Sequence, residues 1–325
     1  FSAGWVLSKE DFLSSSNVIS LLKLRASWGK TGNAEIGNFA SRDLWNAASY
    51  KQLPAIEPAQ PESPNLTWEK SSQTDIGLDF GVFNNRVSGE IDFYNKKTNG
   101  LLFYQNIPYT SGYSNIYRNI GDMKNTGFEM VINTQNIKKD NFTWDTNFNV
   151  AKNNNEITAL PDDNRDQIIG NVIRRVGERL DSFYLVEYAG VDPNNGDALF
   201  YKNTLNPDGT LDKTKTNDYS EAQRIIAGSS TPDWIAGLTN TVEYKNFDFS
   251  FTFYGEFGGN LYNSGGKFMS TSASNGYDNQ TVDQMNRWQN PGDITNVPQA
   301  RLGEGNGVEE STRYLEKNDF VRLRN

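Results

Sequence analysis

The 325-residue sequence contains neither histidine nor cysteine. Serine–histidine and cysteine–histidine nucleophile systems are therefore excluded, as is nearly every zinc site. Carboxylates are what remains for hydrolytic chemistry. Two adjacent pairs, Asp162-Asp163 and Glu309-Glu310, fall in turn-rich stretches. Neighbouring acids there more readily solvate a loop than flank a glycosidic bond. Gly258-Gly259 and Gly265-Gly266 lack the strand–helix setting of a phosphate loop. The densest oxygen cluster is Asp192-Pro193-Asn194-Asn195-Gly196-Asp197, where Asp192, Asn194 and Asp197 offer a weak calcium site. Its spacing departs from an EF-hand, whose twelfth position would here be Asn203, and a plain Asx-glycine turn competes with it. The expectation is a chain that is not an enzyme and needs no cofactor beyond that optional calcium. A net charge of -9 also argues against a nucleic-acid partner.

Any such residues must be positioned by strands, because the dominant period is two. Phe247, Phe249, Phe251 and Phe253 alternate with Asp248, Ser250, Thr252 and Tyr254. Successive side chains of a strand point to opposite faces, so one face is an aromatic stripe. Phe142, Trp144, Phe148 and Val150 repeat the rhythm against Thr143, Asp145, Asn147 and Asn149. So do Ile76, Leu78 and Phe80 against Asp75 and Asp79, and Val87, Ile91 and Phe93 against Ser88, Glu90 and Asp92. Phe128, Met130 and Ile132 alternate less cleanly with Glu129 and Asn133. Nine strands are predicted, over 1–7, 20–29, 72–82, 86–104, 125–137, 141–152, 233–244, 247–258 and 313–325. Helix is confined to short possibilities such as Lys9 to Phe12.

The connections alternate in length. Phe83-Asn84-Asn85, Lys138-Lys139-Asp140 and Lys245-Asn246 are short hairpin joints. Between the hairpins lie long stretches rich in Asn, Gly, Asp, Pro and Ser, at 30–71, 105–124, 153–232 and 259–312. One rim of tight turns and one rim of long loops is the pattern of an all-β, antiparallel, up-and-down transmembrane barrel. No stretch is long and apolar enough for a membrane helix, but barrel strands need only about ten alternating residues. Nine strands leave open edges that hydrocarbon does not tolerate, so the rest of the barrel is expected elsewhere. The chain also begins at Phe1 without Met and stops inside an alternating run, and reads as a piece of a larger protein.

Several blocks carry a resemblance. Leu22-Lys23-Leu24-Arg25-Ala26-Ser27-Trp28-Gly29-Lys30-Thr31-Gly32-Asn33 resembles a signature of SusC/RagA-type TonB-dependent outer-membrane transporters. Asn65-Leu66-Thr67-Trp68-Glu69 followed by Gln73-Thr74-Asp75-Ile76-Gly77-Leu78-Asp79 is similar to that family's next block. Asp92-Phe93-Tyr94-Asn95, Asn125-Thr126-Gly127-Phe128-Glu129, Gly190-Val191-Asp192-Pro193 and Phe320-Val321-Arg322-Leu323-Arg324-Asn325 continue in family order.

The resemblance implies a C-terminal part of a barrel of about 22 strands, with residues 1–325 supplying about strands 12 to 20. The plug domain, TonB box, signal sequence and last hairpin would lie outside this sequence. Short turns would then face the periplasm and long loops the exterior, in the outer membrane of a Gram-negative bacterium. The implied partners are a SusD/RagB-like surface lipoprotein, the TonB-ExbB-ExbD complex through the missing N-terminal part, the lipid bilayer, and a second transporter–lipoprotein pair in a homodimer.

On this reading Asp75, Asp79, Glu90, Asp92, Glu129, Asp145 and Asp248 face the lumen and plug, with the amides Asn133, Asn147 and Asn149. Phe142, Trp144, Phe148, Phe247, Phe249, Phe251 and Phe253 face lipid. The ligand-contact candidates are loop aromatics: Trp45, Tyr50, Tyr109, Tyr113, Tyr117, Tyr262, Tyr277 and Trp288. A flat apolar face with a polar edge suits sugar rings or peptide side chains, although loop packing uses the same residues. The expected function is TonB-dependent import of a large nutrient, an oligosaccharide or a peptide. The alternatives are a soluble extracellular carbohydrate-binding β protein and a structural or adhesive surface protein.

Overall fold

The computed structural model describes residues 1–270, 274 and 276–325, and of Asp162 the backbone only. Its main element is a nine-stranded sheet in which every strand pairs antiparallel with its neighbours in chain order. The strands are β1 (Ser2–Val6), β2 (Ile19–Asn33), β3 (Glu69–Val82), β4 (Val87–Asn99), β5 (Asp122–Lys139), β6 (Phe142–Ala159), β7 (Trp234–Tyr244), β8 (Phe247–Phe257) and β9 (Phe320–Leu323). This is the meander the alternating sequence predicts. No helix of the described residues is long and apolar enough to cross a membrane.

Register fixes the two faces. One transverse row runs Trp5, Leu24, Leu78, Ile91, Met130, Val150, Ala236, Gly255 and Val321, one residue from each of the nine strands. Every member lacks a polar side-chain group except the indole N–H of Trp5. The adjacent row on the other face runs Arg25, Gly77, Asp92 and Glu129. A one-residue slip would exchange the faces of a whole strand, so the alternation itself holds the register.

The apolar face is bare. Phe247 is 77% exposed, Phe249 64% and Phe93 58%. The buried apolar core lies instead among the long connections, around Ile173, Leu185, Val186 and Phe200. A sandwich would reverse this, hiding its stripes between two sheets.

The short connections are shaped by backbone chirality. Phe83, Asn84 and Asn85 all adopt left-handed φ, at 52°, 56° and 61°, as does Lys245 at 54°. Asn tolerates that region better than most residues, which is why amides cluster at this rim.

Two predicted strands need correction. The run 86–104 does not continue: β4 ends at Asn99, Gly100 turns at φ 67°, and Leu102–Asn106 pairs with Asn115–Asn119 as a separate hairpin. The run 313–325 divides likewise. Leu315–Lys317 pairs with Asn260–Tyr262, and only Phe320–Leu323 joins the main sheet. The predicted helical turn sits slightly earlier, as a 3-10 turn over Leu7–Lys9.

The long stretches also hold more order than turn-rich composition suggests. Residues 44–60 form a hairpin. Gln167–Ile169, Val172–Arg174, Ser182–Val186 and Arg224–Ser229 form a four-stranded sheet. Tyr188–Val191, Ala198–Tyr201 and Lys215–Thr216 form a three-stranded one. Ser264–Met269 is a short α-helix capped by the Asn263 side chain, which accepts from Gly266 N–H at 2.6 Å.

Candidate functional site

Two regions carry concentrated polar chemistry: the acidic face of the sheet and the body built by the long connections. On the acidic face Arg25 of β2 reaches across two strands. Its Nε donates to Asp79 Oδ1 at 2.6 Å and its terminal nitrogen to Asp92 Oδ2 at 3.0 Å, with Glu90 3.6 Å away. Lys23 adds a 3.4 Å pair to Asp79. Gly77 makes this possible, because a Cβ there would meet Asp92 Oδ1 at 2.2 Å and Arg25 Cζ at 2.9 Å.

Next to it Ser27 donates to Asp75 Oδ2 at 3.0 Å, and Gln73 to Asp75 Oδ1 at 2.7 Å. Tyr94 lies across Gly127, which has no Cβ to obstruct the ring, and donates to Asn153 Oδ1 at 3.0 Å. Asn153 and Asn155 in turn donate to Asn125 at 3.3 and 2.9 Å. Arg25, Asp75, Glu90, Asp92, Tyr94 and Glu129 line a depression of about 550 Å³.

Register puts Asp75, Asp79, Glu90, Asp92 and Glu129 on this face together with Asp145 and Asp248. Asn133 and Asn147 join them, linked by a 2.6 Å hydrogen bond. Phe142, Trp144, Phe148, Phe247, Phe249, Phe251 and Phe253 all share the opposite face. Polar residues intrude there, among them Thr134, Thr146 and Asn240. Asn240 is buried and accepts from Trp144 Nε1 at 2.9 Å and Thr146 Oγ1 at 2.7 Å, so its carbonyl is satisfied.

The loop aromatics divide by surroundings. Tyr109 and Tyr277 are fully open, the latter 93% exposed. Trp45 and Tyr113 are both tied to Asp43, at 3.0 and 2.8 Å, which links the 44–60 hairpin to the next connection. Tyr50 lies under the Lys51 ammonium, and Tyr117 tilts against Tyr104 with centroids 4.6 Å apart. Tyr262 rests between Phe183 and Tyr314, and its hydroxyl is buried with no hydrogen-bond partner among the described residues. Trp288 is 5% exposed; its indole donates to Pro193 O at 3.0 Å and its ring covers Gly196.

The oxygen-rich turn is spent on local bonds. Asp192 Oδ1 accepts from Asn194 N–H at 2.8 Å, and Asp197 is held by Arg301 at 2.5 Å and Asn217 at 2.7 Å. Burial pushes the Asp197 carboxyl up, but the bonds from Asn217 and Arg301 outweigh it and hold it below the ordinary carboxylate range. Among the described residues no three or more acidic side chains gather to hold a metal. Glu310 lies 3.8 Å from Lys267, and the Asp162 side chain is outside the described set.

A feature that sequence reading missed is a cavity of about 720 Å³ between the two longest connections. Tyr188, Tyr201, Asn263, Gln284, Arg313 and Glu316 contribute to its lining. The Arg313 guanidinium lies 5.8 Å from the Tyr188 ring and 5.2 Å from the Tyr314 ring, and Gln284 Oε1 is buried without a partner among the described residues. Burial pushes the Tyr188 hydroxyl up to about 12, so it remains a donor, to Asn296 O at 2.9 Å. The apolar runs at 182–186 and 198–201 were the available signal for these small sheets.

A family model described as TonB dependent receptor-like, beta-barrel, matches residues 4–181. The chain belongs to that family. TonB-dependent receptor P3 of Formosa agariphila is 34% identical over 340 residues, covering 99% of this chain and 33% of that protein. TonB-dependent receptor SusC of Bacteroides thetaiotaomicron is 36% identical over 274 residues, covering 77% of this chain and 26% of SusC. The structure of the RagAB peptide transporter superposes with a TM-score of 0.88 at 31% identity, over 99% of this chain and 35% of that one. The RagAB peptide importer in its open-open state gives 0.86 at 30% identity, with the same coverage. The SusC/RagA resemblance read from the sequence motifs therefore holds, and the chain spans about a third of the length of these relatives.

Proposed function

We propose that this chain is the C-terminal part of the barrel wall of an outer-membrane importer that takes up a large nutrient with energy from TonB. One observation carries the reading. A single continuous sheet leaves its aromatic face bare and crowds hydrogen-bonded acids onto the other. Bare aromatic rows suit acyl chains, and a wet acidic wall suits a lumen filled by a plug.

In this proposal residues 1–325 supply about strands 12 to 20 of about 22, with the tight turns in the periplasm and the long connections outside the cell. The TonB-ExbB-ExbD complex acts through the N-terminal plug, and this segment performs no chemistry. A SusD/RagB-like lipoprotein caps the loop body, and two such pairs form a dimer. The cargo is an oligosaccharide or a peptide. Peptide is favoured by the likeness to RagAB, and by a loop cavity that combines Arg313, Glu316 and Asp283 with tyrosines. Calcium at Asp192, Asn194 and Asp197 is a weaker proposal, since Arg301 already engages Asp197.

Uptake of labelled oligopeptides and oligosaccharides by cells expressing the full-length protein tests this directly. Accumulation of one class should stop when the proton gradient is collapsed. Uptake that persists without the gradient would contradict active import, and a protein that extracts in buffer without detergent would contradict the membrane placement.

A further inference from the structure

The aromatic face changes character towards the long-loop rim, in register steps of two residues. The row Ala26, Ile76, Phe93 and Phe128 is apolar. The next, Trp28, Thr74, Asn95 and Thr126, mixes an indole with hydroxyls and an amide. The one after it, Lys30, Ser72, Lys97 and Lys124, is cationic, and Lys70 follows opposite Gly32. Each step is about 7 Å, so the change from hydrocarbon-like to cationic surface takes about 14 Å.

Lys30 lies over the Trp28 ring, 5.7 Å from its centroid. Among the described residues none of Lys30, Lys70, Lys97 and Lys124 lies in an ion pair, whereas Lys23 and Arg25 on the opposite face are both bound to carboxylates. Among the described strand residues near these lysines, two acids share the outward surface, Asp122 and Glu156, both on its β5–β6 side, with Glu156 opposite Lys124. Asp122 is engaged, accepting from Gly100 N–H at 3.0 Å.

At the β2–β3 side the surface is hollowed. Lys30, Lys70, Trp68, Gly32, Ser72 and Asn99 line a cleft of about 640 Å³. Trp68 lies across Gly32, where a Cβ would meet the ring at 3.3 Å.

We propose that this cleft binds the phosphate-bearing headgroup of a membrane lipid, with the acyl chains running down the Trp28, Ile76 and Phe93 rows. The proposal rests on the reading that the aromatic face meets the bilayer. A lipid fits better than a free anion because the cations and the apolar rows are continuous, and only a lipid satisfies both. Ammonium groups at the edge of a hydrocarbon belt attract anionic headgroups, each contributing severalfold.

The test uses the full-length transporter in detergent, with bound lipid counted by native mass spectrometry after mixing with phosphatidylglycerol or phosphatidylcholine. Wild type should retain phosphatidylglycerol preferentially. The Lys30→Gln/Lys70→Gln/Lys97→Gln variant should lose that retention by about tenfold or more. Lys51→Gln, at a loop-hairpin tip, should not change it. Equal retention by the triple variant overturns the site, and so does displacement of the lipid by millimolar inorganic phosphate. A parallel measurement follows quenching of the tryptophans by brominated phosphatidylcholine. Quenching with unchanged phosphatidylglycerol retention removes the headgroup site but keeps the membrane face. Absence of quenching removes both.

Discussion

Arg25 serves three carboxylates because Gly77 has no side chain to intervene. Gly77→Ala should separate Arg25 from Asp92 and cost about 1–2 kcal/mol, since these groups are only partly shielded from water. Gly29→Ala, where an added Cβ meets nothing within 4 Å, is the matched control. Comparing the temperatures at which the two full-length variants lose folded-form migration on gels checks this. In the loop body, Asp197 is held below its usual range, so its bond to Arg301 is at full strength at neutral pH. It weakens as the pH falls through the carboxylate range. Protection over residues 190–310, taken relative to the intrinsic exchange rate at each pH, should fall as the pH drops from about 5 to about 3, and Asp197→Asn should flatten that dependence. Which acids share a face could be read from alternation alone. Arg25 as their common partner could not, because its contacts join residues 54 and 67 positions apart and exist only once three strands are in register.

At the scale of elements, period-two patterning identified the nine strands of the sheet, because each has one polar and one apolar side. It failed at 86–104, where Gly100 redirects the chain although the composition stays strand-like. It also failed within 160–232, where the strand Ser182–Val186 is buried or partly buried on both sides and shows the run Phe183-Tyr184-Leu185-Val186 rather than alternation. The faces themselves make a prediction. Phe251→Arg should cost about 2–4 kcal/mol in bilayer insertion, while Ser250→Arg, one residue away on the other face, should be nearly neutral. Folding yields of the two variants into vesicles distinguish them, and equal yields would argue that the phenylalanines do not meet lipid. Gly196→Ala should loosen the loop body, because Gly196 has φ 76° and a Cβ would meet Trp288 at 2.5 Å. Faster proteolysis within 190–310, with the sheet unaffected, is the expected sign.

For the molecule as a whole, the unusual feature is where the packed interior lies. Phe200, Ile173 and Leu185 are enclosed in the loop body, whereas the sheet that spans the chain has no protein cover on its aromatic face. The sheet depends on its surroundings, and the loop body carries its own core. Withdrawing detergent from the full-length protein should therefore precipitate it while the fold of residues 160–232 persists, which protease-resistant fragments would reveal. Family membership and the barrel plan were legible because strand patterning and block order survive at about a third identity. The loop cavity was not, since Tyr188 and Arg313 meet only through contacts spanning more than a hundred residues.

The tip at Asn206–Thr210 bears on this division. Asp208 caps it by accepting from Thr210 N–H at 2.9 Å, and an added Cβ at Gly209 would meet nothing within 4 Å. An epitope spliced between Asp208 and Gly209 should leave channel assembly intact and be stained by antibody on unbroken cells. The same epitope in the three-residue bend at Asn84 should abolish assembly.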